Sequence, residues 1–219
     1  MMKKYKLTAL VFALLAALFL TTGCTATKTA KTSPKPANTS WMFHDIVDVK
    51  FVQQYVKMPK PENVMIIDSR PKKAKFDKGY IPTAISIPDS QFAKMTNKLP
   101  KDKNTLLIFY CQGTICKLSH KSARKAEKMG YKNVKVFAEG FPAWKATGDY
   151  YAVEAPYVKS IIDKMEPAVI VDSRPTKPKY IQGHIPGAYS IPKKDYETKK
   201  GILPIDKTIP LVFYCGGFT

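Results

Sequence analysis

A cysteine attacks as its thiolate, and residues 106–124, LLIFYCQGTICKLSHKSAR, put one where ionisation is favoured. Leu106 to Tyr110 are five apolar or aromatic residues in succession, the pattern of a strand covered on both faces of a parallel sheet. The run stops at Cys111. Gln112 to Cys116 are too few for anything but a tight loop, after which Leu118, Ser122, Ala126 and Met129 recur at near-helical spacing as far as Gly130, a C-terminal cap. The order strand, cysteine, loop, helix turns unpaired backbone N–H groups toward the sulfur and adds the positive end of the helix dipole. An ordinary thiol ionises near pH ~8.5, and bringing that to about 6.5 takes roughly 2.7 kcal/mol. A helix terminus supplies up to about 2 kcal/mol before hydrogen bonds to the sulfur are counted. Gln112, Gly113, Thr114, Ile115, Cys116 and Lys117 are therefore read as an anion cradle, with Cys111 as a nucleophile held ionised within it. The loop by itself leaves open an inert Cys111 that packs as a small hydrophobe.

The elements that position this cysteine occur twice. Asp68-Ser69-Arg70-Pro71 returns as Asp172-Ser173-Arg174-Pro175, Ser86-Ile87-Pro88 as Ser190-Ile191-Pro192, and Phe109-Tyr110-Cys111 as Phe213-Tyr214-Cys215, each 104 positions on. Between residues 64–113 and 168–217, 23 of 50 paired positions are identical without a gap, which makes this a duplicated domain and not a short-period solenoid. Each copy reads as α/β. Residues 64–67 and 168–171 are short buried strands ending at an Asp, 84–87 and 188–191 are second strands closed by a proline, and 89–98 is expected to be helical. A strand at 134–137 and a short helix led in by Glu139-Gly140-Phe141-Pro142-Ala143-Trp144 complete the first copy. Strands alternating with helices imply a mainly parallel sheet flanked by helices, with the site at the carboxyl ends of the strands, where Cys111 falls. The second copy stops four residues after Cys215 and is expected to be incomplete, a fragment of a longer repeat in which Cys215 lacks an activating helix.

At 219 residues and 45% hydrophobic, the chain can bury a substantial core. Its net charge of +19 comes from lysines scattered along its length, with no nucleic-acid-binding signature beside them, so a solvated exterior biased toward anions is expected and nucleic acid is not. Residues 1–23 read as a signal peptide: Lys3, Lys4 and Lys6 precede an apolar stretch from Leu7 to Leu20, too short to span a bilayer comfortably. Thr21-Thr22-Gly23-Cys24 resembles the lipobox of bacterial lipoproteins, with Thr21 where Leu is usual, so Cys24 is the expected lipidation site; the alternative is an ordinary signal peptide with an incidental cysteine. Residues 24–44 are expected to be a disordered tether, residues 45–149 the first domain and residues 150–219 a partial second. Such a protein is exported and lipid-anchored on the periplasmic or cell-surface side of a bacterial membrane.

Together the motifs resemble the rhodanese family of sulfurtransferases. Tyr180-x3-His184-Ile185-Pro186-Gly187-Ala188-x2-Ile191 is similar to that family's signature at every position, while Phe76-x3-Tyr80-Ile81-Pro82-Thr83-Ala84-x2-Ile87 departs at Tyr80 and Thr83. The Asp68/Arg70 pair, the cysteine at the strand end and the segment 140–144 also match. The resemblance implies a ping-pong reaction in which Cys111 takes sulfur from thiosulfate or another small anionic sulfane donor as a persulfide and passes it to cyanide or a thiol, without metal or organic cofactor. Family loops that carry arginines after the cysteine and near the loop's end have Gln112 and Cys116 in those places here, which weakens the expected grip on thiosulfate, with Lys117 as a partial substitute. Lys at position 117 also argues against a phosphatase loop of the Cys-x5-Arg type, which needs a bidentate guanidinium. Cys116 is either a resolving thiol, able to close a disulfide with Cys111, or an unreactive residue under the helix. Asp68 and Arg70 are expected to fix strand-end geometry, His184 to make a structural hydrogen bond, His120 to be solvated and Trp144 to anchor the core. The alternative function is a non-catalytic sulfur carrier or anion-binding module of the same fold.

Overall fold

The computed structural model describes residues 39–217, so the expected signal peptide, Cys24 and most of the expected tether lie outside the described residues. The first copy comprises β1 (Ile46–Val47), α1 (Val49–Gln53), β2 (Val64–Asp68), β3 (Ile85–Ser86), β4 (Leu106–Tyr110), α2 (Leu118–Lys128), β5 (Val134–Phe137) and α3 (Gly140–Ala146). The second comprises α4 (Ala155–Asp163), β6 (Val169–Asp172), β7 (Tyr189–Ser190), α5 (Tyr196–Lys199) and β8 (Leu211–Tyr214).

The strands of the first copy form a five-stranded parallel sheet in the order β1-β5-β4-β2-β3. β4 lies at its centre, and the period of two along a strand sends its residues alternately to opposite faces. Leu107 and Phe109 join Phe43, Phe92, Ala123 and Ala126 on one side, under α2. Leu106, Ile108 and Tyr110 join Val52, Phe76, Phe141 and Trp144 on the other, against α1 and α3. Both faces are therefore apolar, which is why the strand reads as an unbroken hydrophobic run. Asp68 stands in register with Tyr110 on one side and Ser86 on the other, so the strand ends converge where Cys111 follows.

The second copy repeats this with a three-stranded parallel sheet, β7-β6-β8, and keeps the register: Asp172 pairs with Tyr214 and Ser190. Leu211 and Phe213, the counterparts of Leu107 and Phe109, are 42% and 49% exposed where the first-copy residues are fully buried. Among the described residues no helix equivalent to α2 covers them. The segment between copies is tied to the first by an antiparallel bridge between Tyr80 and Ala152, and the Glu154 N–H donates to the Asp77 carbonyl at 2.9 Å.

Several expectations are corrected. Residues 89–98 are helical as expected, but in 3-10 form and in two pieces, Asp89–Lys94 and Thr96–Lys98, broken at Met95 with φ −118. Only Phe92 among them is buried, so no apolar stripe rewards a full helix. Residues 41–43, assigned to the tether, belong to the folded body: Phe43 is buried, its N–H donates to His120 Nδ1 at 2.9 Å, and Arg124 donates to the carbonyls of Trp41 and Met42. His120 is accordingly buried in α2, not solvated. Burial and the neighbouring Arg124 guanidinium push its pKa down, so the ring is neutral and accepts the Phe43 N–H. β1, α1 and α4 went unread. The first two are too short for periodicity to register, whereas α4 carries a readable signal, Pro156 at its start and Val158 and Ile161 on its buried face.

Candidate active site

Cys111 follows β4 directly and is fully buried. Its thiol donates to the Cys116 carbonyl at 3.1 Å, and its sulfur accepts the Ser119 hydroxyl at 3.2 Å. The loop returns on itself because the Cys116 N–H donates to the Gly113 carbonyl at 2.9 Å. That turn brings residue 116 back over the strand end and leaves Gln112, Thr114 and Lys117 exposed, with Ile115 at the tip 89% exposed.

The loop is held from two sides. From α3, the Phe141 N–H donates to the Cys111 carbonyl at 3.0 Å. From β2, Arg70 forms a buried ion pair with Asp68: Nε lies 2.9 Å and Nη2 2.6 Å from the carboxylate, and Nη2 also donates to the Gly79 carbonyl at 2.6 Å. Its remaining nitrogen reaches Gln112 Oε1 at 3.4 Å, and its guanidinium carbon sits 4.4 Å from the centre of the Phe141 ring. Asp68 and Arg70 thus tie the ends of β2 and β4 and the start of α3 together. A buried pair of this kind is strongly destabilising to break from one side, by about 3–5 kcal/mol, because the survivor is left charged and unpaired. The Lys117 ammonium lies 5.3 Å from the centre of the Trp41 ring.

The ionisation pattern differs from the sequence expectation. The Cys111 thiol is pushed up, first by its hydrogen bond to Cys116 and then by burial, against the smaller opposing pull of the Ser119 hydroxyl and N–H. Cys116 is pulled down to about 6, first by the hydrogen bond from Cys111 and then, against burial, by the N–H groups of Gln112 and Leu118. The N–H groups of Gln112 and Leu118, at the loop and the helix start, favour the thiolate of Cys116, whereas the sequence expectation had the cradle acting on Cys111.

This has a direct consequence in solution. Cys116, partly exposed and ionised above pH about 6, is expected to react with iodoacetamide at a rate that rises through pH 6 and is flat by pH ~8, while Cys111 in the folded protein stays unmodified. Peptide mapping of briefly alkylated protein over that pH range is the check. A Cys116 rate still climbing steeply above pH ~8.5, as for an unperturbed thiol, contradicts it.

Ser119, Gly140 and Phe141 complete the site and were not singled out by residue type. Ser119 lies in the first turn of α2, and Gly140 and Phe141 belong to the segment 140–144, which the sequence marked through its family resemblance without giving either residue a role. A Cβ on Gly140 would stand 2.2 Å from the Cys111 carbonyl oxygen, with φ at +64. In the second copy Asp172, Arg174 and Gly183 repeat the ion-pair arrangement, and the Tyr214 hydroxyl donates to Asp172 at 2.7 Å. Cys215 is exposed, and among the described residues it bonds only to the Gly217 carbonyl, at 3.5 Å. His184 Nδ1 donates to the Tyr180 carbonyl, 3.0 Å away, in a structural contact. Among the described residues no three His, Cys, Asp or Glu side chains are grouped closely enough to hold a metal ion.

The sequence model of the Rhodanese-like domain matches residues 51–147 and again residues 154–218. Among curated proteins, an HTH-type transcriptional regulator of Mycobacterium tuberculosis is 31% identical over 85 residues, which is 39% of this chain and 36% of that protein. The chain therefore spans about a third of this relative's length. Among solved structures, a protein of Bacillus halodurans shares 28% identity over 50% of this chain and 77% of its own, with a TM-score of 0.45. A thiosulfate sulfurtransferase of Pseudomonas aeruginosa shares 18% identity over 80% of this chain and 36% of its own, with a TM-score of 0.42.

Proposed function

The chain belongs to the rhodanese-like domain family, and on that premise we propose that it is a sulfurtransferase, moving sulfane sulfur from thiosulfate or a persulfide donor to a thiophilic acceptor through a persulfide on Cys111. The observation that carries this reading is the placement of Cys111 at the carboxyl end of the central strand with Cys116 and Ser119 on its sulfur. A buried thiol is a poor nucleophile until something takes its proton, and the Cys116 thiolate is the base beside it.

As a donor arrives, Cys116 accepts the Cys111 proton and the Cys111 sulfur attacks the outer sulfur of thiosulfate. A sulfur–sulfur bond forms, and sulfite leaves with the electron pair of the bond that breaks. The Ser119 hydroxyl and N–H, already aimed at the Cys111 sulfur, stabilise the charge that develops there. The acceptor, cyanide or a thiol, then takes the outer sulfur; Cys111 leaves as thiolate and recovers its proton from Cys116. The arrangement calls on no metal or organic cofactor. The excess of positive charge favours a small anionic donor over the surface as a whole.

The full burial of Cys111 favours a second reading, a sulfur carrier that accepts and releases sulfur only when a partner protein opens the loop. One experiment tests both. The reduced protein is incubated with thiosulfate, its intact mass is recorded, and cyanide is then added. Gain of one sulfur followed by multiple turnovers to thiocyanate supports the enzyme. Gain without turnover favours the carrier, and no gain removes both.

The proposal extends to location: exported and lipid-anchored through Cys24, on the strength of the N-terminal sequence. Among the described residues no helix is long and apolar enough to cross a membrane. Incorporation of labelled fatty acid into the wild-type chain but not into Cys24→Ala is the expected result, and equal labelling of both would dismiss it.

A further inference from the structure

We infer that Cys116 is a resolving thiol, which attacks the Cys111 persulfide at its inner sulfur, closes a Cys111–Cys116 disulfide and expels the transferred sulfur as hydrosulfide. The inference rests on the Cys111 persulfide proposed above and gives it a second outlet, in which the protein reduces sulfane sulfur instead of handing it on.

The geometry selects the inner sulfur. Cys116 folds back over the strand end through the turn closed by its N–H on the Gly113 carbonyl. The Cys116 carbonyl accepts the Cys111 thiol at 3.1 Å, which sets residue 116 directly against that sulfur. The atom Cys116 touches is the one that remains attached to residue 111 after loading. An external acceptor meets the outer sulfur first, whereas Cys116 is already in place against the inner one. The N–H groups of Gln112 and Leu118 directed at Cys116 keep it in the form that attacks a sulfur–sulfur bond. Both cysteines are free thiols here, the form from which the step starts.

The step balances without an added oxidant. Cys111–S–S⁻ and Cys116–SH give Cys111–S–S–Cys116 and HS⁻: the bond between the two persulfide sulfurs breaks, the bond between the cysteine sulfurs forms, and the Cys116 proton leaves on the hydrosulfide. The sulfane sulfur gains two electrons, and each cysteine sulfur loses one. A return to the dithiol needs two equivalents of a small thiol, oxidised to its own disulfide. Arginine, which the family's loops carry where Cys116 stands, offers no such route.

The test is a single loading without air. Fully reduced wild-type protein, freed of reductant, receives one equivalent of thiosulfate; free sulfide is measured, and the intact mass is read after alkylation. The expected wild-type result is one sulfide per chain and a product lighter than the dithiol by two hydrogens, with Cys111 and Cys116 joined in one disulfide-linked peptide pair. Cys116→Ser is expected to retain the added sulfur and to release sulfide at a rate lower by about tenfold or more. Wild-type protein that keeps the added sulfur and releases no sulfide overturns the inference while leaving the persulfide reading intact. If neither wild type nor Cys116→Ser takes up sulfur, the persulfide reading falls, and this inference with it. The wild-type arm decides the question even if the variant folds poorly.

Discussion

Cys111→Ala is expected to bring thiosulfate-to-cyanide transfer down by roughly 10⁴-fold or to the uncatalysed background, the largest effect of any single substitution in the chain. The reason is that no other thiol in the described residues has the surroundings of Cys111. Cys116 is in the same loop but lacks the Ser119 hydroxyl on its sulfur, and its sulfur is the proton acceptor of the pair. Cys215 follows β8 in the position that Cys111 holds after β4, yet it is exposed and, among the described residues, bonds only to a loop carbonyl. The matching control is therefore Cys215→Ala, expected to leave transfer within about twofold of wild type. Thiocyanate formation by the purified full chain is the measurement. Transfer surviving in Cys111→Ala, or lost in Cys215→Ala, assigns the reaction to the wrong copy and rejects the site proposed here. The substitution removes only a small buried side chain, so a melting temperature close to wild type separates lost chemistry from lost folding.

Gly140→Ala has the next largest expected effect, on stability and transfer together. A backbone φ of +64 already disfavours any side chain by about 1–2 kcal/mol. Beyond that, the new Cβ would meet the Cys111 carbonyl oxygen at 2.2 Å and the Gly113 nitrogen at 3.0 Å, both backbone atoms that no rotamer change can move aside. The chain at 140 and the loop at 111–113 must separate, which breaks the Phe141 N–H bond to the Cys111 carbonyl. A loss of about 3 kcal/mol or more follows, or a melting temperature lower by roughly 6–12 °C for a chain of this size. Gly148→Ala isolates the contribution of close approach. Its φ is +81, equally unfavourable, but nothing lies within 4 Å of the added Cβ, so only the backbone penalty of about 1–2 kcal/mol is expected. Thermal melts of the two variants side by side provide the comparison. Equal shifts would mean that the approach of residue 140 to the cysteine loop contributes nothing.

The part of the site that was legible before any coordinates is the part written in local pattern. Leu106 to Tyr110 could be read as a central strand because every residue on it is apolar, and Leu118 to Met129 as a helix because its small and apolar residues recur at helical spacing. The Asp68/Arg70 pair was legible through its repetition at Asp172/Arg174, although that Arg70 also reaches the Gly79 carbonyl and Gln112 was not. His120 misled because a histidine among lysines on a helix looks solvated. Its burial comes from residues 41–43, some 77 positions earlier, which looked like tether because three residues are too few to show a period. At 89–98 the helical reading stops short of the helical form, since a single buried Phe92 cannot distinguish a 3-10 helix from an α-helix.

The amino-acid order alone determined the duplication, the sequence of strand, cysteine, loop and helix, and hence the place of Cys111 at the carboxyl end of a parallel sheet, because periodicity and chain reversal are properties of neighbouring residues. Only the tertiary structure decided that the acidities of the two loop thiols are driven in opposite directions, how near Gly140 stands to Cys111, and what covers His120. Those depend on desolvation and on separations of a few ångströms between groups distant along the chain. Electrostatic and steric energies change steeply over such distances, and no spacing in the sequence records them.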